Sequence, residues 1–482
     1  MHLSSLRLFP VIALASSAFA LDVCAQIQQS VSSATDVYYP VDLLGRYAAD
    51  LAHWASSSSQ PAACTVEPGT VADVSEILKL IGASNTSFAV KGGGHTANPG
   101  FSSTPGVLIA MSRLSEVTYD AASQSVDIGP GLVWDDVYTV LAPHNVNVVG
   151  GRVTGVGVAG FTLGGGYSWK TNQFGLTVDT VVGYELVAPN GTVVAVTGAS
   201  DPDLFFALKG GMNNFGIVTK FTLQTFPQGQ VWGGLITYTV AHLPAVAAAV
   251  AKFASTVEDP KAGLLPTWNF LLGQPGVSNL LFYDGSTPPE GLFDDFLAIP
   301  HLTMDVSTRD FLSLVKSAPS NATSGSRGAF HTVPLLSFSS TMLAAIHNET
   351  TFWGDKLALA GAAFISYDVE PFLPTLYSHN TNATAFPPTR DAGYLPLNLY
   401  FAWGPATSDE IFHAALRRSA AHLTQVALAE GQAIADAPLY PNYALFDTPL
   451  ERMYGANVER LRAIKGRVDP KNVMGLAGGF KF

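Results

Sequence analysis

The segment best equipped for chemistry is Lys91 to Gly100, KGGGHTANPG. Gly92, Gly93 and Gly94 carry no side chains to obstruct a ligand, so their backbone N–H groups can point at phosphate oxygens. His95 and Thr96 follow directly and place an imidazole and a hydroxyl at the end of that cradle. The spacing is not the GxGxxG fingerprint that opens a helix in a βαβ unit. Read alone, a glycine run before a histidine is also an ordinary tight loop with a hydrogen-bonding histidine. A second segment, Tyr440-Pro441-Asn442-Tyr443, offers phenols. A free tyrosine titrates near ~10 and takes a proton at neutral pH only if its pKa is lowered. Its other reading is a buried tyrosine that packs.

These segments need elements to hold them. VADVSEILKLI, from Val71 to Ile81, has apolar residues at helical spacing, and Ser87 to Lys91 reads as a buried strand running into the glycines. Short strands are expected at Val107 to Met111 and Ser125 to Ile128, then a helix from Val133 to Leu141. Further strands are expected at Val146 to Val149, Val181 to Val187 and Thr192 to Val196, with Asn190-Gly191 turning the last pair. This is an α+β unit ending near Thr225. Asp201 reads as the N-cap of a helix reaching Leu208. Beyond Gln228 come a strand from Leu235 to Val240, an alanine-rich helix from Ala245 to Ser255 and longer loops, which make a second domain. From Gln432 an extended stretch leads into an amphipathic helix, NVERLRAIKGRV.

At 482 residues, 48% hydrophobic and 13% charged, the chain suits two or three packed units with real cores. A net charge of -12 leaves no basic surplus for a phosphate backbone, so no nucleic-acid partner is expected. Residues 1–20 place His2 and Arg7 before an apolar stretch ending in Ala18-Phe19-Ala20, the pattern of a cleaved leader. A buried helix or a membrane anchor is the alternative, but the stretch is short for a span and contains Pro10. No other segment suits a bilayer. Cys24 and Cys64 are the only cysteines, and in an oxidising compartment they are expected to pair. Sequons at Asn85, Asn190, Asn321, Asn348 and Asn382 agree with a secretory route and mark glycosylation candidates.

KGGGHTANPG does not stand alone. GPGLVWDDVY from Gly129, GGRVTGVGVAGFTLGGGYS from Gly150, LVAPNGTVV from Leu186, DPDLFFALKGGMNNFGIVTKFTL from Asp201 and GANVERLRAIKGRVDPKNVMGLAGGF from Gly455 follow in order. Together they resemble the FAD-linked oxidoreductases of the vanillyl-alcohol oxidase superfamily, in the berberine-bridge-enzyme-like branch of secreted fungal type. The likeness runs from about Ala63 to Phe482 and is weak in the second domain. It implies an α+β fold with a two-subdomain PCMH-type FAD-binding domain, an antiparallel substrate-domain sheet backed by helices, and a C-terminal segment returning to the FAD site. The implied divisions are a leader at 1–20, an N-terminal segment at 21–59, the FAD domain at 60–230, the substrate domain at 231–431 and the returning segment at 432–482.

By this resemblance His95 is the histidine bonded to the 8α-methyl of FAD, with Gly92, Gly93, Gly94 and Thr96 beside it. Lys91 stands where many relatives have arginine and keeps a cation near the pyrophosphate without the planar fork. Val153 takes the position of a second, cysteinyl tether, so a single covalent bond is expected. Val156 matches a position that gates oxygen, or is plain core. Gly157, Gly160 and Gly164 to Gly166 line the approach to the ring, and Gly216, Ile217 and Val218 receive the adenine end. Tyr443 matches the base of several oxidases, with Asn442 beside it. A lysine that activates this tyrosine in some relatives is replaced by Pro396, and a neighbouring glutamine by Asn398.

The implied activity is a secreted FAD oxidase that takes hydride from an alcohol-like or activated C–H centre of a small secondary-metabolite substrate. Electrons pass to O2 to give peroxide, with oxidative cyclisation or desaturation among its outcomes. Two alternatives stand beside it. A mono-covalent carbohydrate oxidase needs an aromatic-lined groove, to which Trp268, Trp353 and Trp403 cannot be assigned from sequence. A secreted flavin-binding protein with little catalysis suits the missing lysine and second tether. FAD is the only cofactor expected, with no metal, no membrane partner and a monomeric state.

Overall fold

In the helix Val71–Ser84, Thr70 accepts a hydrogen bond from the Asp73 N–H at the N-terminus, and Asn85 closes the other end in left-handed backbone, φ 55. Its face of Val74, Ile77, Leu78 and Ile81 is buried. The computed structural model describes the backbone of residues 9–482, with side chains from Ala20 onward. The helix connects the strand Cys64–Glu67 to Phe88–Lys91, and both run parallel to Val107–Ala110 between them. Asp36–Tyr38 adds an antiparallel edge, completing a four-stranded sheet. The cradle glycines therefore leave the end of a buried parallel strand, where open α/β layers bind ligands.

A five-stranded antiparallel sheet follows, in the order Val117–Asp120, Ser125–Ile128, Ile217–Gln224, Val181–Val187, Val193–Val196. Residues 231 to 403 build a third, seven-stranded sheet. Its order is Thr303–Arg309, Val231–Tyr238, Gln274–Tyr283, Ala262–Leu271, Ala362–Asp368, Leu395–Trp403, Arg327–Leu335. The helices Leu243–Thr256, Ser340–Leu357 and Asp409–Ala429 pack on it through buried residues such as Val250, Ile346 and Leu416. The α+β class and the helix-backed antiparallel sheet are as expected. Gly478 and Gly479 follow a one-residue parallel bridge between Phe88 and Ala477, so the C-terminal stretch returns to the first sheet.

Two expected strands are shorter or displaced. The strand from Val146 stops at Asn147, whose side-chain oxygen takes the Val148 N–H and diverts the ladder. The strand expected from Leu235 to Val240 is Val231–Tyr238, and Val240–His242 is a short 3₁₀ turn leading into a helix with proline in its first turn.

Of the leader expected at 1–20, residues 1–8 lie outside the described residues. A helix runs Phe9–Ser30, through the expected cleavage point after Ala20. Its buried Val23, Cys24 and Ile27 join the core under the first sheet. Cys24 and Cys64 form the expected disulfide, and no free cysteine remains among the described residues. All five sequon asparagines are exposed. No helix of the described residues is long and apolar enough to cross a membrane.

Candidate active site

Between the glycine cradle and the open face of the seven-stranded sheet lies a cavity of about 1010 Å³. That is at the upper end for small-molecule sites, roughly 300–1,000 Å³. Gly92, Gly93, Gly94, His95 and Thr96 line one side, with Val153, Val156, Gly157 and Gly160 next to them. Gly216, Ile217 and Val218 line the wall near Asn213, Gly479 and Phe480. Asn398, Asn442 and Tyr443 line it as well, so residues from every expected part of the chain converge.

A Cβ on Gly93 would sit 2.5 Å from the Cα of Gly157, so two backbones meet there with no room for a side chain. Trp54 stacks on the His95 ring, centroids 4.5 Å apart. The imidazole Nε2 is buried without a hydrogen-bond partner, and burial pulls the ring's pKa down to about 4. His95 is therefore a neutral imidazole at pH 7, with an orphan nitrogen on a cavity wall, which a bound group would satisfy.

Two expected contacts are corrected. Lys91 does not line the cavity; its Nζ donates to the Asp50 carbonyl at 2.6 Å and the Ala49 carbonyl at 3.3 Å. Burial lowers its pKa, and carbonyls on the N-terminal segment hold it away from any phosphate. The glycines 164 to 166 do not form the ring approach either. A Cβ on Gly164 would fall 2.2 Å from Asn442 Oδ1, and the Gly166 N–H donates to the Tyr440 hydroxyl at 3.1 Å. Their purpose is to seat the 440–443 segment. Asn442 completes that seat by donating from Nδ2 to the Phe161 carbonyl and the Tyr440 hydroxyl.

The environment of Tyr443 overturns the expectation of a phenol tuned downward. Its hydroxyl donates to Glu370 Oε1 at 2.9 Å and accepts from Arg152 Nη2 at 3.1 Å. Burial first, then the Glu370 charge, push its pKa well above the usual 10. Arg152 cannot reverse this, because the same nitrogen is engaged with Glu370 Oε2 at 2.6 Å. Glu370 is 1% exposed. Burial lifts its pKa to about 7, with Arg152 and the Tyr443 hydrogen bond pulling the other way. A carboxyl poised near neutrality beside the cavity is the better proton acceptor.

Pro396 brings no cation to the site, but Asn398, two residues on, does face it. Asn398 Nδ2 donates to Asp368 Oδ2 at 2.8 Å, while its Oδ1 is buried and unpartnered. Burial raises the pKa of Asp368 too. Strand register extends this pair into a row. Asn398 lies opposite Asp368, Asp368 opposite Thr267, Thr267 opposite Ser278 and Ser278 opposite Thr237. All five line the cavity, a ladder of hydrogen-bonding groups about 4.8 Å apart.

Arg152, Glu370, Asp368 and Trp54 were absent from the expected site. Arg152 adjoins Val153 within a recognised motif, and Asp368 and Glu370 form an alternating carboxylate pair ending an apolar strand, AAFISYDVE. That pattern was available as a signal of buried acids; a lone Trp54 gave none. Trp268, Trp353 and Trp403 are all core residues, 0%, 5% and 0% exposed, so they form no groove. Asp201 caps its helix through the Leu204 N–H, as expected.

The cradle, the orphan imidazole and the cavity volume fit an FAD. Comparison with known proteins points the same way. Residues 62–197 match the family described as FAD binding domain, and residues 439–477 the family described as Berberine and berberine like. The FAD-dependent monooxygenase drtC of Aspergillus calidoustus is 33% identical over 462 residues, covering 90% of this chain and 86% of that protein. An uncharacterized FAD-linked oxidoreductase of Arthroderma benhamiae is 34% identical, covering 74% of this chain and 73% of its own length. Among solved structures, the BBE-like 1 protein of Physcomitrella patens superposes with TM-score 0.75 at 20% identity, over 94% of this chain and 97% of that one. The 6-hydroxy-D-nicotine oxidase of Arthrobacter nicotinovorans gives 0.74 at 20% identity, over 92% and 96%.

Proposed function

The chain belongs to the berberine-bridge-enzyme-like FAD-linked oxidoreductases, and from that premise we propose that it is an oxidase of small alcohol-like or activated C–H substrates, held to its flavin by His95 alone. One observation carries the reading: a single cavity has the unpartnered imidazole of His95 and the Tyr443–Glu370 hydrogen bond on its wall. When bound, FAD supplies the hydride acceptor and passes the electrons to O2, giving peroxide.

The chain's own residues do the rest. Gly92 to Gly94 present bare backbone to the cavity, a wall that phosphates can approach, and the neutral His95 ring is a nucleophile able to form the covalent link. Val153 offers no thiol for a second one. Tyr443 accepts the substrate proton as its own moves to Glu370 Oε1, so no free phenolate is needed. Arg152 holds Glu370 in place and offsets its charge. The exposed sequons and the disulfide support a secretory location.

Mixing the yellow protein without air against alcohols, phenols and sugars tests the reading. The expected outcome is bleaching by some members, then recolouring in air with one peroxide per flavin. No bleaching across the panel overturns the enzyme reading. Labelled oxygen entering the product instead of peroxide makes it a monooxygenase, the activity named for the Aspergillus relative. Acid-denatured protein should keep its colour, and His95→Ala should lose it; a colourless wild-type pellet sinks the covalent claim.

A further inference from the structure

The hairpin of Ala262–Leu271 and Gln274–Tyr283 turns through only two residues, since Leu271 lies opposite Gln274. Leu272 has φ 52 and Gly273 φ 77. Both values belong to the left-handed region, as a type I′ turn requires, and asparagine, aspartate or glycine is the residue suited to the first position. Here that position holds a leucine, and it is 93% exposed. Strained backbone and an exposed large apolar side chain are two separate costs at one residue.

Leu272 follows directly on the cavity lining, which has exposed apolar residues of its own. Leu271 is 46% exposed, Val240 49% and Leu302 69%, and all three also line the cavity. The apolar rim is therefore continuous with the interior. From Leu271 the cavity-facing positions of the strand run back through Asn269 and Thr267 to Leu265. At about 3.3 Å per residue this is a path of ~20 Å.

We infer that this rim is the tail-binding mouth of the active site, and that the substrate is amphipathic: an oxygenated head against the Asp368 and Thr267 row, and an alkyl or prenyl-like tail leaving past Leu271, Leu272 and Leu302. This rests on the oxidase reading for the head and adds the tail. Continuity with the cavity is what selects a substrate tail over a lipid surface as the occupant.

Isothermal titration of the reduced holoprotein, without air, with 4-alkylphenols from ethyl to nonyl reads binding without turnover. Affinity should rise about two- to fourfold per added CH₂ while carbons remain within the mouth, given roughly 0.8 kcal/mol for each fully buried one. Leu272→Asn and Leu302→Ser should flatten that slope. Leu272→Asn should also keep or raise the melting temperature, because asparagine suits the turn, which separates a lost contact from a damaged fold. A slope absent in wild type, or equal in wild type and both variants, overturns the proposal. So does sedimentation of the protein with phosphatidylcholine vesicles together with a flat slope, which would make the rim a lipid-docking surface. Failure of flavin bleaching with an intact slope would count against the oxidase reading and not against the mouth.

Discussion

A half-buried tyrosine, a buried carboxylate and a buried arginine share three hydrogen-bonding oxygens and one nitrogen, and this bears on which group can take a proton. Tyr443 is held protonated by burial and by Glu370, so in the proposed reaction it relays the proton and does not store it. Glu370 must be ionised to receive it. Its pKa stands near 7, so flavin reduction should be slow at pH 5 and rise through pH 7 as the carboxyl loses its proton. Glu370→Gln keeps the hydrogen-bonding shape but removes the base. It should erase that limb of the pH profile and slow anaerobic reduction by about 10²- to 10⁴-fold. Leaving Arg152 unpaired costs roughly 3–5 kcal/mol in buried sites, so the variant should also melt earlier. Tyr443→Phe should slow reduction while Glu370 stays paired with Arg152. An unchanged pH limb in Glu370→Gln would assign the base elsewhere, with Asp368 the nearest alternative carboxyl.

At the scale of elements, the glycines are the instructive case. The resemblance puts Gly164 to Gly166 at the approach to the flavin ring, and the glycine run itself does not say what comes close to it. The approaching chain is the 440–443 segment, more than 270 residues away, and its Asn442 fills the space a Cβ would take. Gly164→Ala should displace that segment at a cost of about 1–3 kcal/mol, the usual range for overpacking. Calorimetry would read this as a lower melting temperature, and the loss of reduction rate should accompany it because Tyr443 moves. What is local was legible: the Val71 helix, the buried strand before the cradle, the Asp201 cap and the hairpin at Asn190-Gly191 follow from periodicity, caps and turn residues within a few positions. What is not local was hidden. Glu370 meets Arg152 across 218 residues, and no window of sequence contains both. The pairing of Asn398, Asp368, Thr267, Ser278 and Thr237 likewise exists only once strand order and register are set.

For the whole molecule, the N-terminal helix is held by one covalent tie. The Cys24–Cys64 bond closes a separation of 40 residues and joins Val23 and Ile27 to the core beneath the first sheet. On chain entropy a loop of this size contributes about 3–4 kcal/mol. Cys24→Ser should lower the melting temperature accordingly and expose the Ala55 to Ala62 stretch to protease, while an unchanged melting curve would show that helix packing alone suffices. The cavity is assembled from the same distances. Trp54 covers His95, the seven-stranded sheet supplies the opposite wall, and Gly479 with Phe480 line the end near Ile217, where the Asn214 amide donates to the Phe480 carbonyl at 2.9 Å. The wall is thus unfinished until synthesis has passed residue 480. A chain not yet synthesised as far as residue 480 has no complete pocket, so the last wall arrives after every other residue of the site has been made.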